Sequence, residues 1–220
     1  MAPIRRVINA QWVTDILQYA LDQDRSSIIL IVCTTRDSFL KQLLATVRLQ
    51  STETTSHHHL LTKSLGLLSR SHAIKTVFCP TLEHLRAYLS AGLQYQAPVT
   101  YQQRKLRSLL AIVNPLSLHH PTREFSAQGL SRTLANAVEA SYRADMDIVL
   151  CECQDALSLE SAEHGEALWN VDVPLLSDSI RLETEASSWT GQAVPVKRVV
   201  QRWFQFEDET RQIKRRYPDS

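Results

Sequence analysis

Four short apolar runs constrain this chain most: IILIVC (28–33), IKTVFC (74–79), SLLAIVN (108–114) and DIVLCEC (147–153). Each has strand length, and most do not alternate polar with apolar residues. Strands read this way when water reaches neither face. That implies a largely parallel sheet covered on both sides by helices.

The intervening segments carry the helices. Residues 10–24 place Trp12, Ile16, Leu17, Tyr19 and Ala20 near one helical face. A helix from Asp37 to about Leu49 follows the first run, with Thr34 or Thr35 as its cap. Residues 50–59 read as a polar loop, and 60–70 as helical despite Gly66. Pro80 ends the second run, and a helix follows with Thr81 as N-cap and Gly92 near its end. Residues 94–105 form a linker rich in Gln, Tyr and Pro. Pro115 closes the third run. Residues 123–143 form a long helix with Phe125, Leu130, Leu134, Ala137, Val138 and Tyr142 at helical spacing. Beyond residue 170, VPLLSDSIRLET and AVPVKRVVQRWFQFE alternate more, as an antiparallel extension does, with a turn near Trp189. The expected object is one α/β domain over residues 1–206 with a mixed sheet, followed by a flexible charged tail at 207–220.

Composition narrows the partners little. Lysine plus arginine is 24 and aspartate plus glutamate 23, so any nucleic-acid contact must rest on local patches. No apolar run is long enough to span a membrane. The N-terminus has no continuous apolar segment of the secretory kind. Asp15, Asp22 and Asp24 argue against a mitochondrial presequence. The expected compartment is cytosol or nucleus.

Each candidate chemistry meets an obstacle. A phosphate loop needs small residues so that backbone N–H groups can wrap the phosphates, plus a lysine. The five glycines, Gly66, Gly92, Gly129, Gly165 and Gly191, have no such spacing. Asn114 stands at a strand end where a magnesium-anchoring aspartate would supply charge. It reads as a polar residue capping backbone groups. Glu152 and Asp155 lie at the next strand end, where ligands of open α/β sheets sit. They read first as solvated acids, and second as catalytic carboxylates. Cys33, Cys79, Cys151 and Cys153 read as buried reduced thiols, and the HHH at 57–59 as a solvated loop. No G-x-S-x-G is present. No catalytic, cofactor-binding or metal-binding residue is assigned. The candidates for nucleic-acid contact are Arg104, Lys105 and Arg107 in YQQRKLR, and Lys197, Arg198 and Arg202 beside Trp203 and Phe204. Cations interleaved with aromatics can track a phosphate backbone and stack on bases.

The runs IILIVCTTRDSF, IKTVFCPTLEHLRAYLS, SLLAIVNPLSLHHPTREFSAQGLSRTLANAVEAS and DIVLCEC resemble the central strands of RecA-type recombinase paralogs. The closing VPVKRVVQRWFQFE resembles their late strands. The likeness is greatest to the small degenerate paralogs of Shu-type complexes, which help load recombinase filaments on single-stranded DNA. This resemblance implies a RecA-like domain without the glycine loop. It implies no cofactor, a second RecA-like paralog or recombinase subunit as partner, contact with single-stranded DNA, and a nuclear location. Asn114 falls where the family's second-strand aspartate stands. The segment before Ile28 reads as helical and too short for a strand plus loop, so the loop-bearing element is expected to be lost or rebuilt. The N-terminal helix, with Trp12, Ile16 and Tyr19, either docks a partner or packs on its own sheet. Two other readings stay open: an Elongator-type RecA-like subunit acting on tRNA, and a small α/β enzyme using Glu152 or Asp155.

Overall fold

A computed structural model describes residues 2–53, 58–62, 64–91, 93, 107–159, 164–177 and 193–207. Its centre is a six-stranded sheet in the order β3-β2-β4-β5-β1-β8, with every pairing parallel. The four apolar runs form its middle and one edge: β2 (Ile28–Val32), β3 (Ile74–Phe78), β4 (Ser108–Val113) and β5 (Met146–Cys151). Side chains of β2, β4 and β5 are buried on both faces, which is why these runs do not alternate.

Alternate residues of the sheet feed two separate cores. Ile28, Leu30, Val32, Ala111 and Val149 pack with Val13, Ile16 and Ala20 of α1 (Val13–Asp22) and Phe39 of α2 (Arg36–Glu53). Ile29, Ile31, Leu110, Ile112 and Ile148 face the other way. They pack with Leu85 and Leu89 of α4 (Leu82–Ala91), Leu116 of α5 (Pro115–His119), and Leu130 and Leu134 of α6 (Ala127–Arg143). The N-terminal helix therefore spends its apolar stripe on its own sheet. Ile16 is buried in that packing and Tyr19 lies against it.

The structure corrects the sequence reading in three places. A strand does precede Ile28: β1 (Arg5–Val7) lies between β5 and β8 (Gln205–Phe206). Its three residues are too few to display a period. Pro115 closes the third run as expected, but it also opens a short helix, α5, where none is expected. Proline lacks an N–H, but at the first position of a helix none is needed, so it starts this one. Within the expected antiparallel extension, Val196–Val200 is a helix, α7. Val196, Val199 and Val200 are buried at i, i+3 and i+4 while Lys197 and Arg198 face water. The antiparallel element is a two-stranded sheet of β6 (Asp172–Pro174) and β7 (Ala193–Pro195), and β8 joins the main sheet in parallel. The expected turn near Trp189 and the tail beyond residue 207 lie outside the described residues.

At the amino ends of the strands, the Asp147 carboxylate is 4% exposed and closes a polar cluster. It accepts from the Ile4 N–H at 2.9 Å and from Arg25 Nη1 at 2.7 Å. At the β3 edge, Ile28 N–H bonds Ala73 O and Cys79 N–H bonds Val32 O. That parallel ladder leaves the backbone groups of Ile74, Thr76 and Phe78 pointing outward. Ile74 and Thr76 also line an apolar groove of about 480 Å³, with Leu17, Leu40, Leu44 and Leu61. α3 (Leu65–Ser71) contributes Leu67 to its wall.

Candidate functional site

Ligands of open α/β sheets settle where neighbouring strands send their chains to opposite faces. β2 continues into α2 on one face, while β3 and β4 continue into α4 and α5 on the other. A crevice of about 700 Å³ opens at that point. β1 continues into α1, and its neighbour β5 leads to the 3-10 turn Gly165–Asn170 on the opposite face. A second, smaller crevice of about 230 Å³ opens there, lined by Asn9, Glu152, Glu166 and Lys197 among others.

Asn114 forms the floor of the larger crevice. It is 7% exposed and sits in the left-handed region at φ 59°, which asparagine tolerates better than most residues. Its Oδ1 accepts the Cys153 N–H at 2.7 Å, and its own N–H donates to Cys151 O at 2.9 Å. The side chain thus ties the end of β4 to the end of β5, the backbone-capping role expected of it. Beside it Gln42 of α2, 8% exposed, donates from Nε2 to Gln154 O at 3.0 Å.

Glu152 departs from the solvated acid expected of it: it is 4% exposed. It accepts from Leu116 N–H at 2.5 Å, from Ser117 N–H at 3.4 Å and from the Ser117 hydroxyl at 2.9 Å. Burial pushes its carboxyl up to about 8, against the opposing pull of those donors. Ser117 Oγ also lies 3.1 Å from His164 Nδ1, at the crevice wall. Nothing local in the sequence signals this Glu152–Ser117–His164 chain, because its members are separated by 35 and 47 residues. Asp155 lines the crevice and turns its Oδ1 to the Leu157 N–H at 3.0 Å.

The helix N-termini at this end of the sheet are closed by the chain itself. Asp15 Oδ2 accepts the Trp12 N–H at 2.9 Å at the start of α1. Thr35 Oγ1 accepts from Ser38 N–H for α2, and Thr81 Oγ1 from His84 N–H for α4. Glu152 fills the start of α5. Each of these bonds takes up an N–H at a helix start that could otherwise meet a phosphate. The loop from Ile8 to Trp12 is also fastened, since Gln11 O accepts the Gln154 N–H at 2.8 Å.

A structural network supports the crevice from behind. Arg86 binds Glu124, and its Nε donates to Thr133 Oγ1 at 3.1 Å. His119 Nε2 lies 3.0 Å from the same hydroxyl. Burial and the nearby Arg86 pull the His119 imidazole down to about 4, while the Arg86 hydrogen bond holds the Glu124 carboxyl below its ordinary value.

The basic candidates among the described residues fall at opposite ends of the sheet. Arg104 and Lys105 lie outside the described residues. Arg107 sits just before β4, 3.2 Å from Asp145 and 3.9 Å from Asp147 in ion pairs. Lys197, Arg198 and Arg202 are exposed on and after α7, with Lys197 Nζ 5.3 Å from the centre of the Phe206 ring. Arg107 stands at the amino end of the sheet and Lys197 lines the smaller crevice at the carboxyl end. They are therefore separated by about a strand's length, roughly 20 Å. The four cysteines are buried free thiols, and among the described residues no group of three His, Cys, Asp or Glu side chains could hold a metal ion.

A family model, described as SPAC22G7.03-like, matches residues 5–207. The chain belongs to the SPAC22G7.03-like family. The match runs from the first residue of β1 to Glu207, which follows β8. No curated protein matches this family member. Among solved structures it is similar to one titled "The Structure Of A DnaB-Like Replicative Helicase And Its Interactions With Primase", at 12% identity and a TM-score of 0.37. That likeness covers 88% of this chain and 55% of the helicase chain.

Proposed function

We propose that this SPAC22G7.03-like chain is a non-catalytic RecA-like subunit of a Shu-type recombinase-paralog assembly. It serves homologous recombination in the nucleus by joining a second RecA-like subunit and contacting single-stranded DNA. The observation that carries this reading is the state of the first strand–loop–helix unit, β1, Ile8–Trp12 and α1. A P-loop protein carries its phosphate loop in a unit of this kind. Here the loop has neither glycine nor lysine, and Asp15 sets a carboxylate on the helix N-terminus. A phosphate brought there meets a like charge and no free N–H at Trp12.

The assembly half of the reading rests on the β3 edge. Outward backbone groups at Ile74, Thr76 and Phe78 can accept a partner's strand, and the groove beside them can take its apolar side chains. Leu40, Leu44 and Leu61 are about half exposed there, an arrangement that a bound partner relieves. The enzymatic alternative is less favoured, because Glu152 is engaged by α5 and Asp155 by its own loop.

The test is capture of the full chain from its native cells with mass spectrometry, alongside nucleotide binding and turnover on the purified protein. The expected result is a recombinase or second paralog, no ATP turnover, and salt-sensitive binding of single-stranded DNA that weakens on charge reversal at Lys197, Arg198 and Arg202. Recovery of tRNA-modification subunits instead, or ATP hydrolysis by the chain alone, overturns the proposal.

A further inference from the structure

The crevice at β2 has a chemical character that the assembly role does not use. Its two most deeply set polar side chains are both amides, and each is only half engaged. Asn114 uses Oδ1 on the Cys153 N–H, and no acceptor meets its Nδ2 among the described residues. Gln42 uses Nε2 on Gln154 O, and no donor meets its Oε1 among them. Cys153 and Gln154 are consecutive, so the two amides are anchored on adjacent residues, and both line the crevice. The crevice lining therefore includes one amide with a free N–H donor and one with a free carbonyl acceptor.

The surroundings select against charge. The α2 and α4 N-termini that open on the crevice are capped by Thr35 and Thr81, and Asp37 and Glu83 lie in their first turns. An anion at either helix end meets an acidic side chain and one N–H already taken. The lining cations Lys41 and Arg123 are offset by Glu83 and Asp155, and the third lining acid, Glu124, is held in ion pairs by Arg86 and Arg132, so a cation gains no net field either. A neutral ligand fits the site best.

We propose that this crevice binds a small neutral molecule through a cis-amide edge, a carbonyl acceptor and an N–H donor on the same side. Cyclic imides and lactams, such as nucleobases, carry that edge, and so do primary carboxamides. A trans secondary amide points its two groups in opposite directions and cannot pair with both residues. The ligand carbonyl accepts from Asn114 Nδ2 and its N–H donates to Gln42 Oε1.

The test is ligand-observed NMR on the full chain with two probes, uracil for the nucleobase source and nicotinamide for the carboxamide source. 1,3-Dimethyluracil, which keeps the carbonyls but has no N–H, is the control. Molecules this small bind with Kd of about 1 mM, so titration to about 50 mM is sufficient. At least one of the two probes binds, the stronger one naming the source, and the dimethyl compound binds at least tenfold more weakly. Asn114→Asp keeps the oxygen for Cys153 and tolerates the left-handed backbone, but removes the free donor. It weakens binding about tenfold or more. Absence of binding by both probes overturns the proposal. So does equal binding of 1,3-dimethyluracil and uracil by the wild-type chain, a comparison that needs no variant, and so does undiminished binding by folded Asn114→Asp.

Discussion

Replacing Glu152 with glutamine should stabilise the protein, and more so as the pH rises. The wild-type carboxyl is buried and its value is raised from 4.5 to about 8. The folded state therefore holds a proton that the unfolded state releases across that interval. The stability linked to this group is complete below about pH 4.5 and is lost as the pH climbs through about 8. At about 1.4 kcal/mol per unit, the full interval amounts to about 5 kcal/mol, and the part between pH 5 and pH 8 to about 3–4 kcal/mol. Glutamine keeps an oxygen for the Leu116 N–H and offers an N–H to the Ser117 hydroxyl, without a charge to bury. The assay is thermal or urea unfolding of wild type and Glu152→Gln at matched pH. Other titrating groups cancel in the difference. The gap between the two midpoints should widen by roughly 10 °C from pH 5 to pH 8, at about 2–4 °C per kcal/mol for a chain of this size. A gap that stays constant, or a variant less stable than wild type at pH 8, refutes the claim that burial outweighs the three donors.

Three further outcomes follow from packing. Gly129→Ala puts a methyl 2.2 Å from the Glu124 carbonyl oxygen, so it should cost more than about 2 kcal/mol in urea unfolding. Asp147→Ala leaves Arg25 facing a buried gap and the Ile4 N–H unmet, at a cost of about 3–5 kcal/mol by the same measurement. Burial raises the thiol of Cys79 to about 11 and that of Cys33 well above its ordinary value, the Cys151 hydrogen bond together with burial does the same for Cys153, and all four thiols are buried. A thiol reagent at about pH 8 should therefore label the folded chain slowly and all four cysteines at once in denaturant.

The sheet was legible where burial writes a strong pattern. Ile28–Val32, Ser108–Val113 and Met146–Cys151 coincide with apolar runs because a strand covered on both faces has little room for polar residues, while Ile74–Phe78, also at its expected place, is an edge strand that leaves Lys75 and Thr76 exposed. Short elements were not legible. Arg5–Val7 is three residues long, and its place between β5 and β8 is set by contacts far along the chain. α7 did carry a signal, since Val196, Val199 and Val200 recur at helical spacing, but the neighbouring alternation masked it. In the site, Asn114 could be read as a cap because its position after an apolar strand and before proline predicts one. Glu152 could not, since its partners Leu116 and Ser117 come from another loop. An acid at a strand end ordinarily stays in water.

The pairing of β1 with β8 sets an order of events during synthesis. Arg6 and Val7 lie opposite Gln205 and Phe206, the Glu207 N–H reaches Val7 O, and Arg6 meets Glu207 at 3.0 Å. On its other side β1 needs Ile148 to Leu150. Arg5–Val7 therefore waits for β5, about 140 residues on, before one flank is covered and for β8, about 200 residues on, before the other is, and removing residues 205–207 unfastens Arg6 and Val7.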